Sequence, residues 1–404
     1  MTKLNNDFIN DSSENLSRRK FVKIAGSSLA LLSFPMSSAL ALETNEKVGS
    51  NPKIVWVILR GALDSMHTIV PKFDPQYKEL RPGLSTSFKS PLLPLEKGFA
   101  LHPALKNLHQ WYQEKSLLPI VAVTSGYPQR SHFDGQDFLE SGKGEIDHES
   151  GWLARAIDSK AKRGLAIARS TPISLRSGQN VNTWYPSNLD TADEDIYSQL
   201  TKMYEADPLL KESLESGLAV RGLLGNSRDK KKKQQGKFIN LAKSCAKLMS
   251  NEEENVDCAM LELGGWDTHN NQSGRLERNF NELDKGLAEL KKGLGKEWLN
   301  TVVIMGTEFG RTAKENGTGG TDHGTASALF LAGGAIEGGK VLGEWPGLAT
   351  EQLFEKRDLM PTSNSYSWIG SVLAQHWNFS PQEIKAVFPN ATPYNKKLIS
   401  NLSA

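Results

Sequence analysis

The chain has little cysteine: of its 404 residues only Cys245 and Cys258 are cysteines. Their spacing fits no structural zinc motif, so a zinc finger or zinc ribbon is excluded. Cys245 lies in a helical pattern and Cys258 in a strand, and we expect two small buried thiols in preference to a disulfide. The first predicted strand also lacks a following G-x-G-x-x-G fingerprint, which leaves little support for a dinucleotide-dependent oxidoreductase.

Net charge is small as well. The full chain has a formal net charge of +2, and residues 1–41 hold five basic and three acidic side chains, so the remainder has 43 of each. A neutral body gives no electrostatic reason to expect nucleic acid or an anionic membrane as a partner. The length and the 38% hydrophobic content fit a globular protein with a large core.

The N-terminus has the order of segments that is typical of a secretory signal. Residues 17–23 are mostly basic, residues 24–34 form a short apolar run, and Ala39-Leu40-Ala41 supplies small residues for cleavage. The pair Arg18-Arg19 predicts a twin-arginine signal peptide over residues 1–41, and therefore export by the twin-arginine translocase to the periplasm or beyond. A membrane anchor is the alternative. The run is short and rich in serine and glycine, so we expect no integral span after signal removal.

Five short apolar runs bounded by turn residues predict buried strands of a mainly parallel sheet, at 53–59, 118–124, 257–263, 301–306 and 328–332. Amphipathic helical patterns lie between them, most clearly at 103–115 and 271–294. This alternation predicts an α/β fold, a three-layer sandwich formed by residues 42–404 as a single domain. The pattern is absent from 160–236, where we expect a cap or insertion that includes a solvated lysine-rich loop at 229–235.

Polar side chains follow four of these runs, where the carboxyl ends of parallel strands would form one edge of the sheet. Asp267 and His269 lie two residues apart in a glycine-rich turn, and His323 lies in a late glycine-rich loop. Imidazole and carboxylate groups are good ligands for borderline metals, so this trio predicts a metal site. Five more polar residues occur at these strand ends: Asp64, Ser131, His132, Glu308 and Arg311.

These five residues also have structural alternatives. Asp64 and Ser131 could be helix N-caps, Glu308 could pair with Arg311, and His132 could pack in the core. Ser131 at a helix N-terminus is equally suited to be a nucleophile, because backbone N–H groups stabilise an anion there. The remaining histidines have no evident partner and are expected to be surface or packing residues: His67, His102, His109, His148 and His376.

The order of the motifs resembles one protein family. R-G-A-L-D, S-H-F-D-G-Q-D, G-G-W-D-T-H-N-N-Q, T-E-F-G-R-T and N-G-T-G-G-T-D-H-G are similar to the motifs of the family catalogued as domain of unknown function 1501. The resemblance covers essentially residues 53–388 and implies membership of the alkaline-phosphatase-like superfamily of phosphatases, sulfatases and phosphomutases. That superfamily has an α/β sandwich fold. Its members typically hold two metals at the carboxyl edge of the sheet and a nucleophile at a helix N-terminus.

By this resemblance Ser131 occupies the nucleophile position. The metal ligands that it implies are Asp64, Asp267, His269, Glu308 and His323. Two departures affect the second metal. The superfamily usually has Asp-His-Gly where this chain has Glu308-Phe309-Gly310, so a histidine is missing, and the spacing from Asp267 to His269 is tighter than usual. One metal site is therefore expected in preference to two.

Together these features predict an exported hydrolase of phosphate or sulfate esters that uses a divalent metal, with zinc as the first choice. Its substrate would be a small-molecule or glycan ester. Ser131 would attack the ester, and Arg311 would clamp the anionic oxygens or replace the second cation. The alternative is an exported, non-catalytic binding or assembly protein that retains the fold with a degenerate metal site.

Overall fold

The computed structural model describes residues 51–186, 194–224 and 237–400. The predicted signal peptide and the lysine-rich run lie outside these ranges. Within them, no helix combines the length and the apolar character needed to cross a bilayer. The strands are β1 (Lys53–Arg60), β2 (Ile69–Pro71), β3 (Leu93–Pro94), β4 (Phe99–Leu101), β5 (Leu117–Thr124), β6 (Gly164–Ala166), β7 (Val181–Thr183), β8 (Cys258–Gly264), β9 (Thr301–Gly306), β10 (Ser327–Ala332) and β11 (Ser363–Asn364).

Helices connect most of these strands, as the sequence pattern predicts. They are α1 (Ser65–Thr68), α2 (Gln76–Leu80), α3 (Lys106–Gln113), α4 (His132–Ser141), α5 (Trp152–Ser159), α6 (Glu194–Met203), α7 (Pro208–Leu224), α8 (Lys237–Met249), α9 (Gln272–Leu294), α10 (Ser365–His376) and α11 (Pro381–Val387). The two amphipathic patterns at 103–115 and 271–294 appear as α3 and α9, with their ends shifted by at most three residues.

The central sheet has eight strands in the order β11-β5-β10-β9-β1-β8-β6-β7, and β2, β4 and β3 form a small second sheet. Strand β1 lies at the middle, parallel to β8 on one side and to β9 on the other. The mainly parallel sheet is thus confirmed, but the run at 328–332 is not parallel to its neighbours. It forms β10, which is antiparallel to both β5 and β9.

The reversal of β10 determines which loops meet. Strands β1, β5, β8 and β9 all end at one edge of the sheet, so the residues that follow them lie there. An antiparallel strand begins where its neighbours end. The glycine-rich loop that precedes β10 therefore reaches the same edge as the turns that follow the parallel strands.

Helices cover both faces of the sheet, which makes the fold a three-layer sandwich. Along β1, Val55, Val57 and Leu59 pack with apolar side chains of α3, α8 and α9. The alternate residues Ile54, Trp56 and Ile58 pack with α5, α10 and α11 on the other face. Successive side chains of a strand point to opposite faces, so a strand buried on both sides reads as a continuous apolar run.

The expected cap at 160–236 is partly incorrect. Its first part contributes β6 and β7 to the central sheet, because β6 pairs in parallel with β8 and β7 pairs with β6. Helices α6 and α7 follow at 194–203 and 208–224. Residues 187–193 and 225–236 lie outside the described part of the chain. The two cysteines are free and buried, as expected, and burial raises the pKa of each thiol.

Candidate metal centre

The side chains at the carboxyl edge of the sheet converge on the carboxylate of Asp267. This residue follows β8 in a turn where Gly265 has a φ of +94°. Asp267 Oδ1 lies 2.7 Å from Arg311 Nη1, 3.0 Å from His269 Nε2 and 3.3 Å from His323 Nε2. Burial alone would raise the pKa of Asp267, but the hydrogen bond and charge of Arg311, with the nearby imidazoles, lower it to about 2.

Tight packing of the backbone fixes this turn against β1. Gly61, which directly follows β1, has a φ of +120°, and a Cβ built on it would lie 2.5 Å from the backbone nitrogen of Asp267. No side chain fits at that distance, and the left-handed φ also favours glycine. The turn that carries Asp267 therefore depends on a glycine at this position.

A third histidine, His132, joins the group. It is the first residue of α4, and its Nε2 lies 3.4 Å from Asp267 Oδ1. That nitrogen is buried and has no hydrogen-bond partner among the residues that the structure describes. The ligand atoms of His132, Asp267 and His323 all lie within 4.8 Å of one another, which makes this trio a group that could hold a metal ion.

The three imidazoles share one orientation. Each Nδ1 lies at hydrogen-bond distance from an oxygen that only accepts: Glu308 Oε1 at 2.8 Å for His132, Asp322 Oδ1 at 3.0 Å for His269, and the carbonyl of Arg130 at 2.9 Å for His323. Each Nδ1 must then carry the proton and donate it. In the neutral imidazole each Nε2 then has a lone pair directed toward Asp267, the arrangement that is usual for metal-binding histidines.

The spacing of these atoms suits a cation. His269 Nε2 and His323 Nε2 are 3.1 Å apart. Two nitrogen lone pairs at this distance repel each other unless a proton or a cation lies between them. A tetrahedral zinc with bonds of about 2.0–2.1 Å places its ligand atoms about 3.3–3.4 Å apart, close to the separations observed around Asp267 Oδ1.

The sequence places His132 among the polar residues at the strand ends, with packing in the core as the alternative, but not among the predicted metal ligands. The available signal was its position directly after Ser131 at the start of a helix, beside the expected nucleophile. Burial alone would lower the pKa of His132, but the hydrogen bond and charge of Glu308, helped by Asp267, raise it. The pKa of His323 is lowered by burial and then by the charges of His132 and Arg311.

Glu308 does not place a free carboxylate oxygen in this group. It is fully buried, and its Oε1 accepts from the backbone N–H of Gly61 at 2.8 Å and from His132 Nδ1. Its Oε2 accepts from the hydroxyl of Thr307 at 2.7 Å. Glu308 thus orients His132. The ion pair considered between Glu308 and Arg311 is not formed, since Arg311 pairs with Asp267.

Asp64 is likewise occupied elsewhere. Both of its oxygens accept from Arg81 Nη1 at 2.8 Å, and Oδ2 also accepts from Gln272 Nε2 at 2.6 Å. Asp64 caps α1 by accepting from the N–H of His67 at 3.1 Å, so the N-cap alternative holds. Asp64 and Arg81 are both fully buried, and Arg81 holds the pKa of Asp64 below its usual value in spite of burial.

Arg311 is buried and its donors are used within the protein. Besides Asp267, it donates to the hydroxyl of Thr321 at 3.2 Å and to the carbonyl of Thr321. Each of its three guanidinium nitrogens thus donates to Asp267 or Thr321, and the side chain is not exposed to solvent. Arg311, which the sequence predicts to clamp the substrate, therefore contacts the carboxylate of Asp267 and not solvent.

Ser131 occupies the N-cap position of α4, immediately before His132, and its side chain makes no capping hydrogen bond. The hydroxyl of Tyr127 interacts with Ser131, and burial is the main cause of the raised pKa of Tyr127. Arg130, which directly precedes Ser131, has a left-handed φ of +60°. Ion pairs to Glu355 at 2.6 Å and Asp358 at 2.8 Å hold Arg130 in this unfavourable conformation.

The fold and the site define an α/β sandwich with a histidine–aspartate centre at the carboxyl edge of its sheet. The family model described as "Protein of unknown function (DUF1501)" matches residues 129–388, and the chain belongs to this family. No curated protein matches the chain in sequence.

Several solved structures resemble the chain at low identity. The C-terminal periplasmic domain of EcEptC from Escherichia coli, in complex with Zn, is 10% identical over 70% of this chain and 73% of that one, with a TM-score of 0.37. The alkaline phosphatase from the Antarctic bacterium TAB5 is 11% identical over 70% and 92%, with a TM-score of 0.34. The phosphonate monoester hydrolase of Agrobacterium radiobacter is 8% identical over 81% and 74%, with a TM-score of 0.38. With TM-scores this low, the similarity to these structures does not indicate what the site of this chain binds or does.

Proposed function

We propose that this chain is an exported, metal-dependent hydrolase of phosphate or sulfate esters. Support comes chiefly from one observation: three imidazole Nε2 atoms, each freed by an outward hydrogen bond at Nδ1, converge on Asp267 Oδ1. Without a ligand, such a group of nitrogen and oxygen atoms would destabilise the fold, because close lone pairs repel and buried polar atoms without partners cost free energy.

The residues that would hold the metal are His132, Asp267 and His323, with His269 as a fourth ligand. Three imidazoles and one carboxylate suit zinc and related first-row ions better than calcium or magnesium. A metal bound here would polarise an ester oxygen and lower the pKa of a bound water or hydroxyl group.

The other residues have supporting roles in this proposal. Ser131 is placed at the N-terminus of α4, where helix N–H groups favour the alkoxide over the neutral hydroxyl. Arg311 fixes Asp267 by a charge-assisted hydrogen bond, and Glu308 fixes His132. Neither of them touches the substrate.

Metal analysis of the purified, folded protein tests the first half of the proposal. We expect about one equivalent of metal per chain, and far less in Asp267→Ala and in His132→Ala. His148→Ala is a matched control, because this histidine is exposed and pairs with Asp137, which is not one of the ligands. A metal content that stays unchanged in Asp267→Ala would refute the metal site.

Turnover of generic aryl phosphates and sulfates tests the second half. Ser131→Ala should lower turnover by orders of magnitude while metal content is retained. Unchanged turnover would remove Ser131 as nucleophile and leave attack by water. If metal is bound and no ester in the panel is hydrolysed, the non-catalytic binding protein becomes the better proposal. The observation that favours it is Phe309, which stands where the superfamily resemblance implies a ligand.

Export remains part of the proposal, with residues 1–41 as a twin-arginine signal and 42–404 as a single domain. Replacing Arg18 and Arg19 together with lysine preserves the charge but removes the arginine pair. The precursor should then accumulate in the cytoplasm, as judged by fractionation, whereas Lys20→Arg should be exported normally. Export of the double variant at the normal rate would argue against this route.

A further inference from the structure

Arg60 lies beside the candidate metal centre but is not part of it. It is the last residue of β1, and its carbonyl accepts from the N–H of Trp266, the neighbour of Asp267, at 3.4 Å. The next residue, Gly61, donates to the same Glu308 oxygen that accepts from His132. The backbone of Arg60 is thus adjacent to two of the metal-site residues.

A buried relay holds the side chain of Arg60. Arg60 Nε donates to Gln136 Oε1, and Gln136 Nε2 donates to Glu140 Oε1 at 3.0 Å. Glu140 Oε2 in turn accepts from the backbone N–H and the hydroxyl of Ser174 at 2.8 and 2.9 Å. Gln136 and Glu140 are only 2% and 3% exposed. Because both ends of the Gln136 amide are engaged, its oxygen must face Arg60.

The relay is aligned with the metal site. His132, Gln136 and Glu140 are spaced four residues apart on α4 and share one face of the helix. Gln136 is therefore one turn from the proposed ligand His132, with about 5–6 Å between Cβ atoms at this spacing, and its side chain holds the guanidinium of Arg60. Burying a glutamate and an amide is costly; Ser174 accounts for one oxygen of Glu140, and the other oxygen serves the chain of hydrogen bonds that ends at Arg60.

The outer side of the guanidinium is available. The side chain of Arg60 is 47% exposed, and its Nη1 pairs with Glu262, itself 39% exposed, at 3.1 Å. Within the described ranges, Nη2 forms no hydrogen bond. Arg311, the arginine expected to clamp the substrate, is by contrast buried, and each of its guanidinium nitrogens donates within the protein.

We propose that Arg60 is an oxyanion-binding residue beside the metal centre, held in place by Gln136 and Glu140, and that it receives the tetrahedral phosphate or sulfate group. This inference rests on the proposed function for the identity of the anion. The guanidinium fork matches the geometry of such oxygens. Glu262 competes with the anion for the same guanidinium and tunes its affinity.

Calorimetric titration of the metal-loaded protein with inorganic phosphate, and separately with sulfate, tests the proposal. Arg60→Gln should raise the dissociation constant about tenfold or more, a change of about 1.4 kcal/mol. Glu262→Gln should lower it, because the competing carboxylate is removed. Arg163→Gln is the matched control: Arg163 precedes β6 and so lies at the opposite edge of the same sheet, and its loss should change nothing.

The outcomes separate this inference from the proposed function. If the protein holds metal and binds phosphate equally well with and without Arg60, the subsite is refuted and the metal site stands. If phosphate binds through Arg60 in a protein that holds no metal, the metal-dependent hydrolase is refuted and the subsite stands. A wild-type protein that binds metal but neither anion also refutes the subsite.

Discussion

The role of Asp64 gives the sharpest test of the structure against the sequence-based expectation. As a metal ligand, Asp64 would be essential for metal binding. In the structure it is a buried partner of Arg81, with both oxygens at 2.8 Å from Nη1. Arg81 also donates to the carbonyls of Thr312 and Ala313 at 2.7 and 2.8 Å and is fully buried. The substitution Asp64→Asn keeps the shape of the side chain and removes its charge.

The expected effect is on stability and not on metal content. Removing one partner of a buried ion pair leaves an uncompensated charge and costs about 3–5 kcal/mol. For a large domain this corresponds to a drop of roughly 6–10 °C in Tm, at about 2 °C per kcal/mol. The double variant Asp64→Asn with Arg81→Gln should recover part of the loss, because no buried charge remains unpaired.

The assay combines thermal denaturation with metal analysis of the folded fraction. Wild type and Asp64→Asn should hold the same amount of metal per folded chain, whereas Asp267→Asn should lose it. A normal Tm together with lost metal in Asp64→Asn would refute the structural assignment. That result would return Asp64 to the ligand set that the superfamily resemblance implies.

Three further predictions follow from the site and the core. Gly61→Ala should weaken zinc binding in a chelator competition assay, since the new Cβ would displace Asp267 N, while Gly264→Ala, which has open space around it, should not. Glu308→Gln should weaken zinc binding about 10–100-fold through His132, and equal affinity would argue against the orienting role. Three buried neutral histidines should together lower the stability of the metal-free protein in urea by roughly 5 kcal/mol from pH 7 to pH 5, partly offset by the raised pKa of His132, and a profile that does not fall would contradict their burial. Burial lowers the pKa of His67 to about 3 and the pKa values of His102 and His376 to about 4. These values lie below that of an unfolded histidine, so the unfolded chain binds more protons than the folded one as pH falls through 6.5.

The sequence predicted the central strands because each is buried on both faces. β1, β5, β8 and β9 appear in the sequence as apolar runs, and their shared direction follows from the helices between them. Direction could not be read for β10, since an apolar run of six residues is the same in either orientation. β6 and β7 are three residues each, too short for any periodic signal, and they were therefore assigned to a cap.

The candidate site was predicted in outline for a similar reason. Strand ends of a parallel sheet meet at one edge, and the structure brings Asp267, His269 and His323 together there. The sequence does not show which cationic group pairs with a given carboxylate, because that pairing depends on contacts between residues far apart in the chain. Asp64 meets Arg81 through a loop that carries no motif, and nothing local distinguishes it from a ligand.

The positions of Glu308 and Phe309 favour one metal over two in the proposed centre. The ring of Phe309 is 1% exposed and stacks on His132, with centroids 5.0 Å apart and planes 25° apart. It packs where the superfamily resemblance implies a further ligand, and it supports the ring of His132, a proposed ligand. Glu308 acts on the same imidazole from its Nδ1 side. The residues that would serve a second ion are thus committed to orienting His132, and Asp64 is committed to Arg81. A second metal would need these buried groups to exchange charge-assisted hydrogen bonds for new ones, at a cost of several kcal/mol each.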